Sequence, residues 1–202
     1  MIKEIEYNEV FDAQTHFRTI MDAFSHPGTL HNLKEVNCCP PEGLATSTAF
    51  VALALMNTDV TCAVFIPQKE DIIAYLTTNT NVRIESSAKA NFIIVSGDST
   101  GQEIEHSFEG DPAYPETSAF VLLQIARLAN VPFEGGTELT LSGPGIKNAQ
   151  ALFIAGIKNE VIAAIQEKNS EYPLGIDVIL CAEDGSISAI PRSIQITHLK
   201  NN

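Results

Sequence analysis

The sequence predicts an α/β domain built on a mixed sheet, and three observations carry that expectation. Residues 176–190 hold two short apolar runs separated by Glu183, Asp184 and Gly185, the pattern of a buried strand, a tight turn and a partner strand. Two more such runs, residues 60–66 (VTCAVFI) and residues 91–96 (NFIIVS), alternate with segments of helical spacing, as parallel strands joined by helices do. Beyond residue 118 strand patterns follow one another with turns between them, so antiparallel pairs join the parallel ones.

The chain has 202 residues, which suits one domain over residues 1–202 with a substantial core. Its 45% of hydrophobic residues place it outside the disordered and fibrous classes. Lys and Arg total 12 against 25 Asp and Glu, a formal charge of -13. That balance opposes unspecific binding to nucleic acid or to an anionic membrane. An anionic substrate would need the few cations placed locally, or supplied by a partner. Glu4, Glu6, Glu9 and Asp12 stand where an export signal needs an apolar core, and the longest apolar run, residues 49–56, is too short to span a bilayer. A cytoplasmic location is expected. Cys38, Cys39, Cys62 and Cys181 show neither a CxxC nor a Cys/His ligand spacing, so reduced, mostly buried thiols and no metal site are expected.

Residues 11–24 read as the first helix, with Phe17, Ile20, Met21 and Phe24 inward and Asp12 as N-cap. His26, Pro27 and Gly28 stop it, and residues 29–36 leave as a strand. His16, His26 and His31 flank this junction and raise a metal or acid–base reading. No acidic partner stands at ligand spacing, which favours surface or capping roles. Residues 45–56 are small and apolar nearly all round, as in a buried helix, with Thr46, Ser47 and Thr48 offered to its first N–H groups. Pro67 opens a further helix over residues 70–77, with Ile72, Ile73 and Leu76 inward. Residues 82–90 are ambiguous, and residues 99–116 turn polar and acidic, as an exposed helix and loop do. Residues 118–128 suit a long strand, although the pattern alone also fits a helix. Strands follow at residues 137–141 and 152–155, then an amphipathic helix over residues 158–169 with Val161, Ile162 and Ile165 inward.

Residues 171–192 are the stretch that the other elements must fit around. Pro173 and Gly175 aim the chain at the buried strand of residues 177–182, residues 187–190 return as its partner, and Pro191 ends ladder donation. Arg192 therefore sits at a strand end, where side chains often face a crevice. A surface ion pair is the plainer reading of it in so acidic a chain.

Residues 142–147, SGPGIK, combine two glycines that expose backbone donors with a lysine within reach of a phosphate. The run lacks the GxxxxGK[ST] spacing of a P-loop, and Pro144-Gly145 is also the usual occupancy of a type II turn, so a plain hairpin is favoured. No GxSxG elbow and no kinase, dinucleotide or zinc-protease pattern is present, and nothing singles out one lysine as a Schiff-base former. The residues alone disclose no reaction.

Four segments taken together, DAQTHFRTIMDAFSHPGTL (residues 12–30), LTLSGPGI (139–146), YPLGIDVIL (172–180) and AIPRS (189–193), resemble the PhnH family, the H subunit of the bacterial carbon-phosphorus lyase complex. They come in the family's order and cover essentially the whole chain. The resemblance implies a three-layer α/β/α arrangement, similar in fold to pyridoxal-dependent transferases but without their cofactor. It implies a homodimer when the chain is isolated, and a core complex with the G, I and J subunits. In that family's pathway a phosphonate displaces adenine from ATP to give a ribose 1-phosphonate 5-triphosphate, with the I subunit as catalyst assisted by the others. The later radical cleavage belongs to the J subunit, whose iron-sulfur ligands have no counterpart among these four cysteines. The family usually shows PRT where this chain has Pro191-Arg192-Ser193, which keeps a hydroxyl. No catalytic residue is carried over. Arg18, Lys147 and Arg192 are the expected anion or partner contacts, and Gly28, Gly143, Gly145 and Gly175 the expected turn residues. The main expectation is a subunit of a phosphonate-degrading assembly that is not catalytic alone. The alternatives are a stand-alone phosphonate- or nucleotide-binding protein or enzyme with its anion site near Lys147 and Arg192, and, more weakly, a pyridoxal enzyme.

Overall fold

The computed structural model describes residues 3–4 and 6–201. Helix α1 (Phe11–Ser25) leads to the two-residue strand β1 (His31–Asn32). Helices α2 (Thr46–Leu55) and α3 (Lys69–Thr80) alternate with β2 (Thr61–Phe65), β3 (Arg83–Ile84) and β4 (Phe92–Ser96). A single turn, α4 (Gln102–Glu105), precedes β5 (Phe120–Ile125), β6 (Arg127–Ala129), β7 (Thr137–Ser142) and β8 (Gln150–Ala155). Helix α5 (Asn159–Lys168) returns the chain to the hairpin of β9 (Asp177–Ala182) and β10 (Ser186–Ile190), and β11 (Gln195–Asn201) follows.

Seven strands form one mixed sheet in the order β1-β10-β9-β5-β4-β2-β3. From β9 to β3 all neighbours are parallel, whereas β10 and β1 are antiparallel additions at one edge. The parallel strands are apolar along their length because both faces are covered. In β5, Val121, Leu123 and Ile125 enter one core and Leu122 the other; in β9, Val178, Leu180 and Ala182 oppose Ile179 and Cys181 in the same way. One core lies under α1, α2 and α3. The other lies under α5 and a second, antiparallel sheet, β11-β7-β8-β6. The third layer is thus a small sheet together with α5, rather than the helices alone that the resemblance implies.

Helix α1 departs from its expected orientation. It buries Asp12, His16, Ile20 and Ala23, and leaves Phe17 and Met21 exposed. The cause is polar: His16, expected at the surface, is fully buried and stacks on Phe50 with ring centroids 4.7 Å apart. Its Nε2–H donates to Lys34 O (2.8 Å) and its Nδ1 accepts from the Tyr7 hydroxyl (3.2 Å), so the neutral ring is fully partnered. Asp12 is not the N-cap. Asn8 Oδ1 takes the Val10 and Phe11 N–H groups, and Asp12 reaches back to the Asn8 N–H while pairing with Lys34 at 3.1 Å.

Thr46, Ser47 and Thr48 do not cap α2 either. Gln124, on β5, accepts from the Ala45 N–H (2.8 Å) and from Thr48 Oγ1, and donates to Gly43 O; Ser47 Oγ donates to Ala182 O. Residues 118–128 are two strands that belong to different sheets, and residues 29–36 contribute only β1. No helix among the described residues is long and apolar enough to cross a membrane.

Burial holds the His16 imidazole below its ordinary range. The unfolded chain therefore takes up the proton first as the pH falls below about 6.5, and folding stability declines from there downward. Urea unfolding at pH 7.5 and pH 5.5 is expected to show this loss, and the His16→Gln variant a smaller one. An equal loss in both would place the pH dependence elsewhere. Burial also pushes the Cys62 and Cys181 thiols up to about 12, while Cys39 is exposed. A thiol reagent is thus expected to label Cys39 in the native protein, and Cys62 and Cys181 only after unfolding.

Candidate functional site

The segments that the sequence singles out converge on one end of the second sheet. Residues 143–149 join the antiparallel strands β7 and β8, and their first four residues form a tight turn, with the Ile146 N–H bonded to Gly143 O (3.1 Å) and Gly145 at φ 84°. That is the left-handed third position of a type II turn, which favours glycine. A side chain at Gly145 would meet Ser25 O and the Pro27 ring, and one at Gly143 would lie 2.8 Å from Ser193 O. Gly28 in turn packs on Leu141 and Gln150, and its N–H donates to Ala189 O. The end of α1, the β7–β8 turn and the turn after β10 are therefore in backbone contact. Gly175 stands apart: its neighbour is Asn169, whose amide brackets Ile176 through both N–H and C=O.

Arg192 lies beside this junction in an ion pair that is largely buried, not on the open surface. Its Nε and Nη2 meet the Asp177 carboxylate, its Nη1 donates to Pro115 O, and its N–H reaches Asp177 Oδ1 at 2.9 Å. Asp177 begins β9 and Arg192 follows β10, so the antiparallel register that sets Ile190 against Val178 brings the two together. The Arg192 side chain is only 15% exposed. One guanidinium thus ties the loop before β5 to the end of the β9–β10 hairpin.

Lys147 is exposed just beyond the turn, and Arg18 is exposed on α1; neither makes an ion pair among the described residues. Arg18 precedes Ser25 by seven residues, about 10 Å along the helix axis from the end of α1 that the Gly145 turn touches. The polar cluster next to the turn was only half legible. Asp22 Oδ1 lies 3.1 Å from His26 Nδ1 and Asp22 Oδ2 lies 3.3 Å from His31 Nδ1, while His31 Nε2 meets Thr29 Oγ1 at 2.7 Å. The i,i+4 spacing of Asp22 and His26 could have revealed that acidic partner. Among the described residues no group of His, Cys, Asp and Glu is disposed to hold a metal ion. The cluster holds the helix end against β1 and supplies hydrogen bonds.

These segments lie within the part of the chain that matches known proteins. Residues 6–197 match the family model for the bacterial phosphonate metabolism protein PhnH. The chain is 26% identical over 190 residues to the alpha-D-ribose 1-methylphosphonate 5-triphosphate synthase subunit PhnH of Rhizobium meliloti (strain 1021), covering 93% of this chain and 91% of the relative. It is 30% identical over 186 residues to a putative C-P lyase subunit protein, HtxG, of Stutzerimonas stutzeri, covering 91% and 85% respectively. With the family matched from before α1 into β11, the chain belongs to the PhnH family of bacterial phosphonate metabolism proteins.

Proposed function

We propose that this chain is the PhnH-type subunit of a carbon-phosphorus lyase assembly. It supports, with G, I and J subunits, the formation of a ribose 1-phosphonate 5-triphosphate from ATP and an organophosphonate. The family match over residues 6–197 carries this reading. The wording of the two relatives' names, each a subunit of an enzyme complex, supports a part played within an assembly. On this reading the chain is cytoplasmic, is not catalytic alone and needs no cofactor of its own. The likeness to the pyridoxal-dependent transferase fold rests on the family resemblance.

Helix α1 supports the assembly contact that the reading requires. Phe17 (46% exposed) and Met21 (49%) lie one turn apart on its outer side, with Val10 and Phe11 exposed at its start, and exposed apolar side chains grouped in this way suit an interaction surface. We assign the homodimer of the isolated chain to this face. Phe17→Asp with Met21→Asp is expected to leave the melting temperature within a few degrees of wild type and to shift the isolated chain to monomer in light scattering. A dimer that persists would remove the assignment.

A second reading, a stand-alone phosphonate or nucleotide site, is favoured by one observation: Lys147 is exposed beside a glycine turn. Arg192 contributes less to it, because its charge faces Asp177. The test is phosphonate-dependent adenine release from ATP by the reconstituted subunits, with this chain, without it, and with Lys147→Ala or Arg192→Ala. The subunit reading expects release to fail without the chain and to survive Lys147→Ala. Undiminished release without the chain overturns it, and loss with a folded, assembled Lys147→Ala variant favours direct anion binding. Arg192→Ala takes the guanidinium away from Pro115 O and from the Asp177 carboxylate, which keeps only the residue-192 N–H, and is expected to lower stability by about 1–3 kcal/mol in urea unfolding.

A further inference from the structure

Strand β1 stops early, and a cleft opens where it stops. The Leu33 N–H makes a last rung to Gly185 O (3.4 Å), after which β10 gives way to its hairpin loop. Lys34 O is taken by His16. Residues 35–38 then run on without helix, turn or bend, and among the described residues their backbone groups make no hydrogen bond. This run walls a cleft of about 850 Å³ against the start of α2 and the β9–β10 loop. Its apolar lining is Leu33, Val36 and Phe50, and its acidic lining is Glu35, Glu183 and Asp184. No Lys, Arg or His among the described residues pairs with those three carboxylates.

We propose that this cleft receives an extended segment of a partner subunit that carries Lys or Arg. The segment adds its backbone to residues 35–38 and sets its cations against Glu35, Glu183 and Asp184. Three independent properties select that occupant. The unpaired backbone run offers a strand-length row of donors and acceptors, the template for strand addition. Val36, half-buried on the cleft wall above the core residues Leu33 and Phe50, gives an apolar side chain of such a strand a contact. The acidic groups, of which Asp184 Oδ1 accepts from the Ser186 N–H and Oγ while none meets a cation among the described residues, select a cationic partner and raise its rate of encounter. A second copy of this chain, with the same net charge of -13, is the poorer match. The proposal rests on the subunit reading above, because it requires a partner chain, and it uses a face other than the α1 patch.

The experiment uses the complex reconstituted with G, I and J subunits. Wild type is compared with a Glu35→Lys, Glu183→Lys, Asp184→Lys variant and with a control of equal charge change outside the cleft, Glu105→Lys, Glu116→Lys, Glu134→Lys. Assembly affinity is measured across a salt series, and amide hydrogen exchange is followed at residues 35–38. The proposal expects those amides to exchange at least about tenfold more slowly in the wild-type complex than in the isolated chain, since they gain partners. It also expects the cleft variant to bind about tenfold more weakly with a flatter salt dependence, and the control to stay near wild type. Melting temperatures near wild type for both variants show that they fold. Unchanged exchange in a wild-type complex overturns the proposal and leaves the subunit reading standing, as does equal weakening by cleft variant and control. Failure of wild type to assemble overturns both.

Discussion

Strand β9 is buried on both faces, and the rest of the structure depends on that constraint. An all-apolar strand must have a layer above and a layer below, because alternate side chains point in opposite directions. Val178, Leu180 and Ala182 are met by the small antiparallel sheet and α5, and Ile179 and Cys181 by the layer of α1, α2 and α3. The same strand joins two kinds of pairing: parallel to β5 on one side, antiparallel to β10 on the other. It therefore sets the point at which the crossover part of the chain becomes the hairpin part.

Polar groups are placed by this frame, and they settle details that apolar patterning leaves open. Asp177 opens β9 and receives the Arg192 guanidinium, which also holds the loop before β5 through Pro115 O. Gln124 projects from β5 and satisfies the start of α2, an N-cap supplied from a strand far away in sequence. His16 brings its hydrogen-bond partners with it into the core, and in doing so turns α1 so that an aromatic side remains outside. With both ring nitrogens partnered, His16 is buried without the penalty of an unsatisfied polar group, which is compatible with this orientation of α1.

That orientation has a functional counterpart. The chain combines 25 acidic and 12 basic residues with exposed Phe17 and Met21 on α1 and an open acidic cleft at a sheet edge, the kinds of surface that protein partners use. Its recognisable segments meet at glycine turns, where backbones touch, instead of around a cluster of reactive side chains. Membership of the PhnH family and a role inside an assembly agree with this distribution.

The sequence by itself determined the α/β class and the β9–β10 hairpin, because period-two burial and the Asp184-Gly185 turn are local signals. It determined the inward face of α5 and the type II turn at Gly145 for the same reason. Its motifs also pointed to the family. The tertiary structure alone decided which face of α1 is buried, how α2 is capped, that residues 118–128 divide between two sheets, and that Arg192 is held by Asp177 and Pro115. Each of these depends on groups distant in the chain: Lys34 and Phe50 for His16, Gln124 for Ala45, β8 for β6, Pro115 for Arg192. Periodicity reports whether a side chain is apolar, not which polar partner the fold will bring to it. That is why the buried face of α1, the cap of α2 and the division of residues 118–128 had to await the packed structure, while the β9–β10 hairpin and the Gly145 turn did not.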